Sequence, residues 1–187
     1  MRAVFIHGLE GDGNENWFPW LRQKLKDKGI DVITPRFPTP EDQSLENWFK
    51  VWEGYKDIVD EDTIFVGHSL GPAFVLNVLE ESDVKVKSAY LVAPFVKLLG
   101  NEYVDGLNKT FVDKSFDWSK IKENCNDFNI YYSNNDPYVP EEASIEVAEK
   151  ENGKAQKIEG AGHFNKAAGY MEFEKLYEDV MKGGRVV

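Results

Sequence analysis

The apolar residues of this chain follow two alternating patterns. Short runs stopped by glycine or proline read as buried strands, and apolar positions at i, i+3, i+4 and i+7 read as helices with one packed face. Ala3-Val4-Phe5-Ile6 is the first run, stopped by His7-Gly8. Trp17, Trp20, Leu21 and Leu25 then recur at helical spacing, with Asn16 as the expected cap and Gly29 as the stop. Val32-Ile33-Thr34 is a second strand ended by Pro35, and Leu45, Trp48, Phe49 and Trp52 form the next helical stripe. Thr63 to Val66 predicts a strand, and Phe74, Val75, Val78 and Leu79 predict the helix after it. Ser88–Val92 and Phe128–Tyr132 read as strands, Trp118–Lys122 and Glu141–Lys150 as helices, the second behind Pro140. Lys154–Ile158 is a polar strand suited to a sheet edge, and Phe173, Leu176, Tyr177 and Val180 mark a last helix stopping at Gly183-Gly184.

Six strands alternating with helices predict an α/β fold, with one parallel sheet covered on both faces. No linker or low-complexity tract interrupts the order, and 187 residues suit one domain spanning 1–187. Asn16-Trp17-Phe18 and Asn47-Trp48-Phe49 look like a repeat, but their flanks do not match, so they reflect shared core composition. With 42% apolar residues the chain is of ordinary globular composition. Its net charge of −11, with no basic cluster, argues against nucleic acid and anionic membrane as partners. No segment reaches signal-peptide or membrane-spanning length, and the single cysteine, Cys125, excludes an intrachain disulfide, so a cytoplasmic location is expected. Cys125 lies in a polar context with no histidine nearby, which argues against a catalytic thiol.

Chemistry concentrates where one apolar run meets a serine. In Ile64-Phe65-Val66-Gly67-His68-Ser69-Leu70-Gly71-Pro72-Ala73, the pattern G-x-S-x-G stands between a strand and a helix, the context of a nucleophile elbow. The flanking glycines fit a tight turn in which side chains would clash. A serine hydroxyl needs a base, an orienter for the base, and donors for the developing oxyanion. His163, in Gly160-Ala161-Gly162-His163-Phe164, is the one histidine after Ser69 and follows the last strand, so it is the expected base. His68, adjacent to the nucleophile, would point away from attack and is better read as a structural hydrogen-bonding residue. No histidine pair has metal-ligand spacing, so neither metal nor cofactor is expected.

Asp136, in Ser133-Asn134-Asn135-Asp136-Pro137, ends the penultimate strand and is the expected orienting carboxylate. Asp127 precedes that strand and falls at the wrong end of the sheet, and Asp117 precedes a helix it would cap. The expected oxyanion donors are the backbone N–H groups of Leu70, at a helix start, and Leu9, in the loop after the first strand. Gly8, Gly11 and Gly13 in that loop match neither G-x-G-x-x-G nor the phosphate-binding P-loop.

In this order the residues resemble an α/β-hydrolase. VFIHGLEGDGNENWFPWL, FVGHSLG, NNDPYVP and GAGHFN are similar to the small serine hydrolases of the retinoblastoma-binding protein 9 and YdeN type. The resemblance implies strand order 2-1-3-4-5-6, no large cap domain, and Ser69, Asp136 and His163 as the triad. It does not carry over a retinoblastoma partner, since Glu123 and Asp127 flank Cys125 where a Leu-x-Cys-x-Glu motif would need leucine and glutamate. The expected reaction is cleavage of a small acyl compound, such as a carboxylic ester; the alternative is a binding scaffold on a hydrolase fold. The stretch Pro94–Asp117 reads as a surface loop whose apolar residues, Phe95 among them, would wall a shallow acyl pocket with Leu9 and Tyr138 opposite. Oligomeric state is open at this point.

Overall fold

The structure, a computed structural model, describes residues 1–183. Its centre is a six-stranded parallel sheet in the order β2-β1-β3-β4-β5-β6. The strands are β1 (Arg2–Ile6), β2 (Asp31–Ile33), β3 (Thr63–His68), β4 (Ser88–Val92), β5 (Phe128–Tyr132) and β6 (Lys154–Lys157). The helices are α1 (Phe18–Lys26), α2 (Leu45–Trp52), α3 (Leu70–Glu81), α4 (Glu102–Val112), α5 (Trp118–Glu123), α6 (Glu141–Glu151) and α7 (Glu174–Gly183). Gly184, the second half of the expected final stop, lies outside the described residues.

Alternate residues of each strand serve opposite faces of the sheet. Val4, Ile6, Phe65, Leu91 and Ile130 enter one core, with Trp48, Trp52, Phe74 and Phe111 from the helices above. Ala3, Phe5, Ile64, Val66, Val92 and Tyr131 enter the other, with Trp17, Leu21, Leu25, Leu176 and Val180. Phe74 meets the rings of Phe37, Trp48, Phe49, Trp52 and Phe111. Truncating a ring so enclosed typically costs about 3–5 kcal/mol. β3 and β4 are buried throughout, which explains their continuous apolar sequences, whereas β6 is mostly exposed and polar at the edge.

Two local expectations change. Asn16 does not cap α1: it sits at φ +51°, Trp17 occupies the cap position, and the Asn16 side chain instead accepts the Lys166 N–H at 2.8 Å. Asparagine tolerates the left-handed region, so it can turn the chain into α1 while tethering a distant loop. The stretch Pro94–Asp117 is not simply a surface loop, for it contains α4, which Asn101 caps by accepting the Val104 N–H. Phe111 and Val112 of α4 pack into the core above the sheet.

Candidate active site

The loops after β1, β3, β5 and β6 converge at the C-terminal edge of the sheet, where ligands bind in open α/β folds. β3 delivers Ser69 directly into α3. Ser69 has φ +60° and ψ −109°, a conformation that costs a non-glycine residue about 1–3 kcal/mol unless its surroundings enforce it. They do. Its N–H donates to Val92 O at 2.9 Å, and the chain on either side is packed too closely for side chains. A Cβ on Gly67 would lie 2.8 Å from Pro72 N, and one on Gly71 would run into the Ile6 carbonyl. Ser69 Oγ itself makes no hydrogen bond among the described residues, and Ser69 lines two adjoining clefts together with His163.

His163 Nδ1 is 2.8 Å from Asp136 Oδ2. The Asp136 side chain is 2% exposed, and its other oxygen accepts the N–H groups of Tyr138 and Val139 at 2.9 and 3.0 Å. With Asp136 as acceptor, the Nδ1 proton is the one donated, which leaves His163 Nε2 with the lone pair. The histidine loop is pinned from several sides. Asn135 Oδ1 accepts the Gly162 N–H at 2.8 Å and Asn134 Oδ1 accepts the Gly160 N–H at 2.9 Å, so the aspartate loop holds the histidine loop in register. Trp17 Nε1 donates to Phe164 O at 3.0 Å, and His68 Nε2 donates to His163 O at 2.8 Å. Burial pushes the His68 imidazolium pKa down to about 3, with the neighbouring His163 adding to the effect, so the ring works as a neutral donor.

The other side of Ser69 is closed by the loop after β1. A Cβ on Gly8 would lie 2.9 Å from Ser69 Cβ, so only glycine lets this backbone reach the serine. His7 sets its orientation. The Phe37 N–H donates to His7 Nε2 at 3.1 Å, which puts the ring proton on Nδ1, 2.8 Å from Gly8 O. Burial lowers the His7 pKa and favours this neutral form. Gly8 O also accepts the Gly11 N–H at 3.2 Å. Gly8 C=O and Leu9 N–H belong to one trans peptide plane and point oppositely, so anchoring the carbonyl aims the Leu9 N–H away from it. Neither Leu9 N–H nor Leu70 N–H has a partner among the described residues, although Leu70 is fully buried. A buried, unpaired N–H is uncommon and marks a place where an acceptor is awaited.

Comparison with known proteins bears directly on this arrangement. A family model described as "Serine hydrolase" matches residues 3–182. The chain belongs to the serine hydrolase family. It is similar to "Putative hydrolase YdeN" of Bacillus subtilis (strain 168), 28% identical over 180 residues that cover 95% of this chain and 93% of the relative. It is equally similar to "Serine hydrolase RBBP9" of Rattus norvegicus, 28% identical over 94% of this chain and 91% of that one. The crystal structure of the ydeN gene product from B. subtilis superposes with a TM-score of 0.90 at 27% identity, covering 97% of both chains. Est1E from Butyrivibrio proteoclasticus shares the fold, with a TM-score of 0.71 at 18% identity over 97% of this chain and 87% of that one.

In this serine hydrolase the rivals for the aspartate position lie elsewhere. Asp127, just before β5, pairs with Lys154 at 3.2 Å, and Asp117 caps α5 by accepting the Ser119 and Lys120 N–H groups. Cys125 is buried, with its thiol pushed up to about 12 by desolvation, so it stays protonated. Among the described residues, no three His, Cys, Asp or Glu side chains converge as metal ligands, and no helix is long and apolar enough to cross a membrane.

The larger cleft at Ser69 has a volume of about 520 Å³. Leu9, Phe95, Leu99, Val104, Tyr138 and Val139 supply its apolar wall. Phe95 is 2% exposed and forms part of the floor, whereas Tyr138 is 60% exposed at the mouth, its ring edge-on to His163 at 5.0 Å. Tyr103 of α4 reaches over to Glu10, donating to Oε1 at 2.7 Å. Sequence reasoning missed Asn134, Asn135, Trp17 and His7 as supports of the site. Paired asparagines directly before an Asp-Pro turn were the available signal, because their side chains readily bond to backbone.

Proposed function

We propose that this serine hydrolase cleaves small carboxylic esters or related acyl compounds through a covalent acyl-enzyme on Ser69. The observation that carries the reading is a strained Ser69, its Oγ unbonded among the described residues, sharing a cleft with His163, whose far nitrogen is committed to buried Asp136. His163 Nε2 takes the Ser69 proton as Oγ attacks the carbonyl carbon. Asp136 keeps the ring in the tautomer that leaves Nε2 basic, and stabilises the imidazolium that forms. The N–H groups of Leu9 and Leu70 receive the oxyanion; losing one such donor in an acyl-transfer enzyme costs about 10²–10³ in kcat. The imidazolium then protonates the leaving oxygen. Water, deprotonated by the same nitrogen, attacks the acyl-enzyme and releases the carboxylic acid and Ser69.

A fluorophosphonate probe tests this against a scaffold that retains the fold without turnover. Intact-mass analysis is expected to show one covalent adduct, mapped to Ser69, and Ser69→Ala is expected to lose both the adduct and p-nitrophenyl ester turnover while unfolding at nearly the wild-type temperature. An unlabelled wild-type protein with no ester turnover would establish the scaffold instead.

A further inference from the structure

One polar side chain in the cleft is neither part of this machinery nor satisfied by the fold. Asn108, on the buried side of α4, is 2% exposed and lines the cleft at Ser69. Its Oδ1 accepts from Gln43 Nε2 at 2.9 Å, and its Nδ2 has no partner among the described residues. Among the described residues, the partnerless side-chain atoms sealed from solvent are Thr34 Oγ1 and the two Glu151 carboxylate oxygens. Asn108 Nδ2 is not among them, so it reaches accessible space, and the space its residue borders is the cleft.

The orientation of that amide follows from backbone groups at both ends of a hydrogen-bond chain. The Glu10 N–H donates to Thr39 Oγ1 at 2.7 Å, and the Thr39 hydroxyl donates to Gln43 Oε1. At the far end, Gln43 Nε2 lies 3.2 Å from the Leu107 carbonyl, which can only accept. Gln43 therefore presents its NH₂ to α4, and the Asn108 atom it meets must be the oxygen. The Asn108 NH₂ is left facing the cleft as a donor without an acceptor. A site that holds out a buried donor discriminates against ligands that leave it unpaired.

We propose that Asn108 is a specificity residue that donates a hydrogen bond to a neutral oxygen on the acyl part of the substrate. This rests on the acyl-enzyme reading of the same cleft. The acceptor is a hydroxyl, ether or carbonyl oxygen rather than a carboxylate, because Glu10 and Glu15 line the cleft and, among the described residues, no Lys or Arg does. The preferred acyl group is thus an oxygenated short chain, with its alkyl portion against Phe95, Leu99 and Val139 and its oxygen at Asn108.

The test compares p-nitrophenyl pentanoate and hexanoate with their length-matched ether analogues, 3-methoxypropanoate and 4-methoxybutanoate. An ether oxygen accepts and cannot donate, so it reports on this NH₂ alone. In the wild type, kcat/KM is expected to favour at least one ether ester over its alkyl partner. That ratio is expected to fall about 2- to 13-fold in Asn108→Asp and Asn108→Leu, the span of one net hydrogen bond. Using the ratio within each variant cancels the inductive effect of the oxygen. Asn108→Asp keeps an oxygen for Gln43, so it carries the test if Asn108→Leu does not fold. Ratios equal in wild type and Asn108→Asp, or a wild type with no preference for either ether, would overturn the assignment while leaving the hydrolase reading intact. Failure of every ester together with no fluorophosphonate adduct would overturn the hydrolase reading, and this proposal with it.

Discussion

His68 donates from Nε2 to the main-chain carbonyl of His163, 2.8 Å away, so the histidine next to Ser69 in sequence holds the main chain of the histidine that shares its cleft. A histidinium there would still be a donor, but the site is buried and already contains His163. Its neutral form is part of the folded state. The unfolded chain returns His68 to its ordinary value near 6.5, and His7 behaves in the same direction.

That difference makes stability depend on pH, with a sign that another buried group masks. Below pH 6.5 and down to about 3 the unfolded chain binds the His68 proton and the folded chain does not, so acidification destabilises, by at most about 1.4 kcal/mol per pH unit. Glu151, at the end of α6, is buried with both oxygens unpartnered among the described residues, and burial pushes its pKa from 4.5 up to about 7. Between 4.5 and 7 the folded chain binds the proton, so acidification there stabilises. The two effects oppose one another between pH 4.5 and 6.5. Glu151→Met is expected to melt higher than wild type at pH 8, to lose much of that advantage at pH 5, and to show a steeper fall in Tm from pH 7 to 5. Parallel curves of Tm against pH for the two proteins would contradict the Glu151 assignment, and a Tm of Glu151→Met that does not fall between pH 7 and 5 would contradict the His68 one.

Removing the charge of Asp136 without its shape separates the two aspartates flanking β5. Asp136→Asn places an amide where His163 Nδ1 now donates, and either the tautomer reverses or a hydrogen bond is lost. A comparable change in a protease triad lowers kcat by about 10⁴. Asp127→Asn, on an exposed pair with Lys154, is expected to leave kcat/KM within about twofold and Tm nearly unchanged, since surface pairs contribute about 0–1 kcal/mol. Steady-state kinetics on the two proteins decide it; a large loss in Asp127→Asn with normal turnover by Asp136→Asn would reverse the assignment.

The strands were legible because burial on both faces writes them as short, mainly apolar runs: Ser88–Val92 and Phe128–Tyr132 match β4 and β5 in full. β3 extends two residues past the expected Val66 because Gly67 and His68 continue the ladder opposite Leu91 and Val92. α4 was illegible for an instructive reason. Its buried positions are Asn108, Phe111 and Val112, and a polar residue on the packed face, with Gly106 mid-helix, erases the apolar stripe that marks a helix. Local rules fail most readily where a residue serves a site rather than the core, and Asn108 is such a residue. Tertiary tethers such as Asn135 to Gly162 leave no trace in periodicity, since they join loops far apart in the chain.

The approach of Gly8 to Ser69 gives a prediction about catalysis without loss of fold. A methyl group on Gly8 would meet Ser69 Cβ at 2.9 Å and His68 O at 3.1 Å, and relief requires the loop to retreat from the serine. Retreat carries the Leu9 N–H with it. Gly8→Ala is therefore expected to lower kcat by about 10²–10³, as loss of one oxyanion donor does, with a smaller effect on KM. Because φ at Gly8 is not positive, the substitution adds no backbone strain of its own, and circular dichroism should be unchanged. Wild-type kcat in Gly8→Ala would remove Leu9 from the oxyanion site.

The charge around the cleft sets which acyl groups enter. Glu10, Asp12 and Glu15 line the two spaces beside Ser69, and among the described residues no Lys or Arg lines either. Burial raises the Glu15 pKa, with the nearby Asp12 charge adding to it, so Glu15 already senses Asp12. A third negative charge within a few ångströms is opposed by about 1 kcal/mol per pair in a watery setting, and the two nearest together amount to about a 10-fold penalty or more. At pH 8 and low salt, p-nitrophenyl hydrogen glutarate, which ends in a carboxylate, is expected to show kcat/KM about 10-fold or more below that of p-nitrophenyl pentanoate, most of it in KM. The gap should narrow at 1 M salt, where the screening length falls to about 3 Å. Glu15→Gln should narrow it at low salt as well, because the amide keeps the shape of the wall and removes one of the charges. A gap that ignores both salt and Glu15→Gln would trace the discrimination to shape, and equal rates for the two esters would mean that the acyl chain lies away from this carboxylate rim.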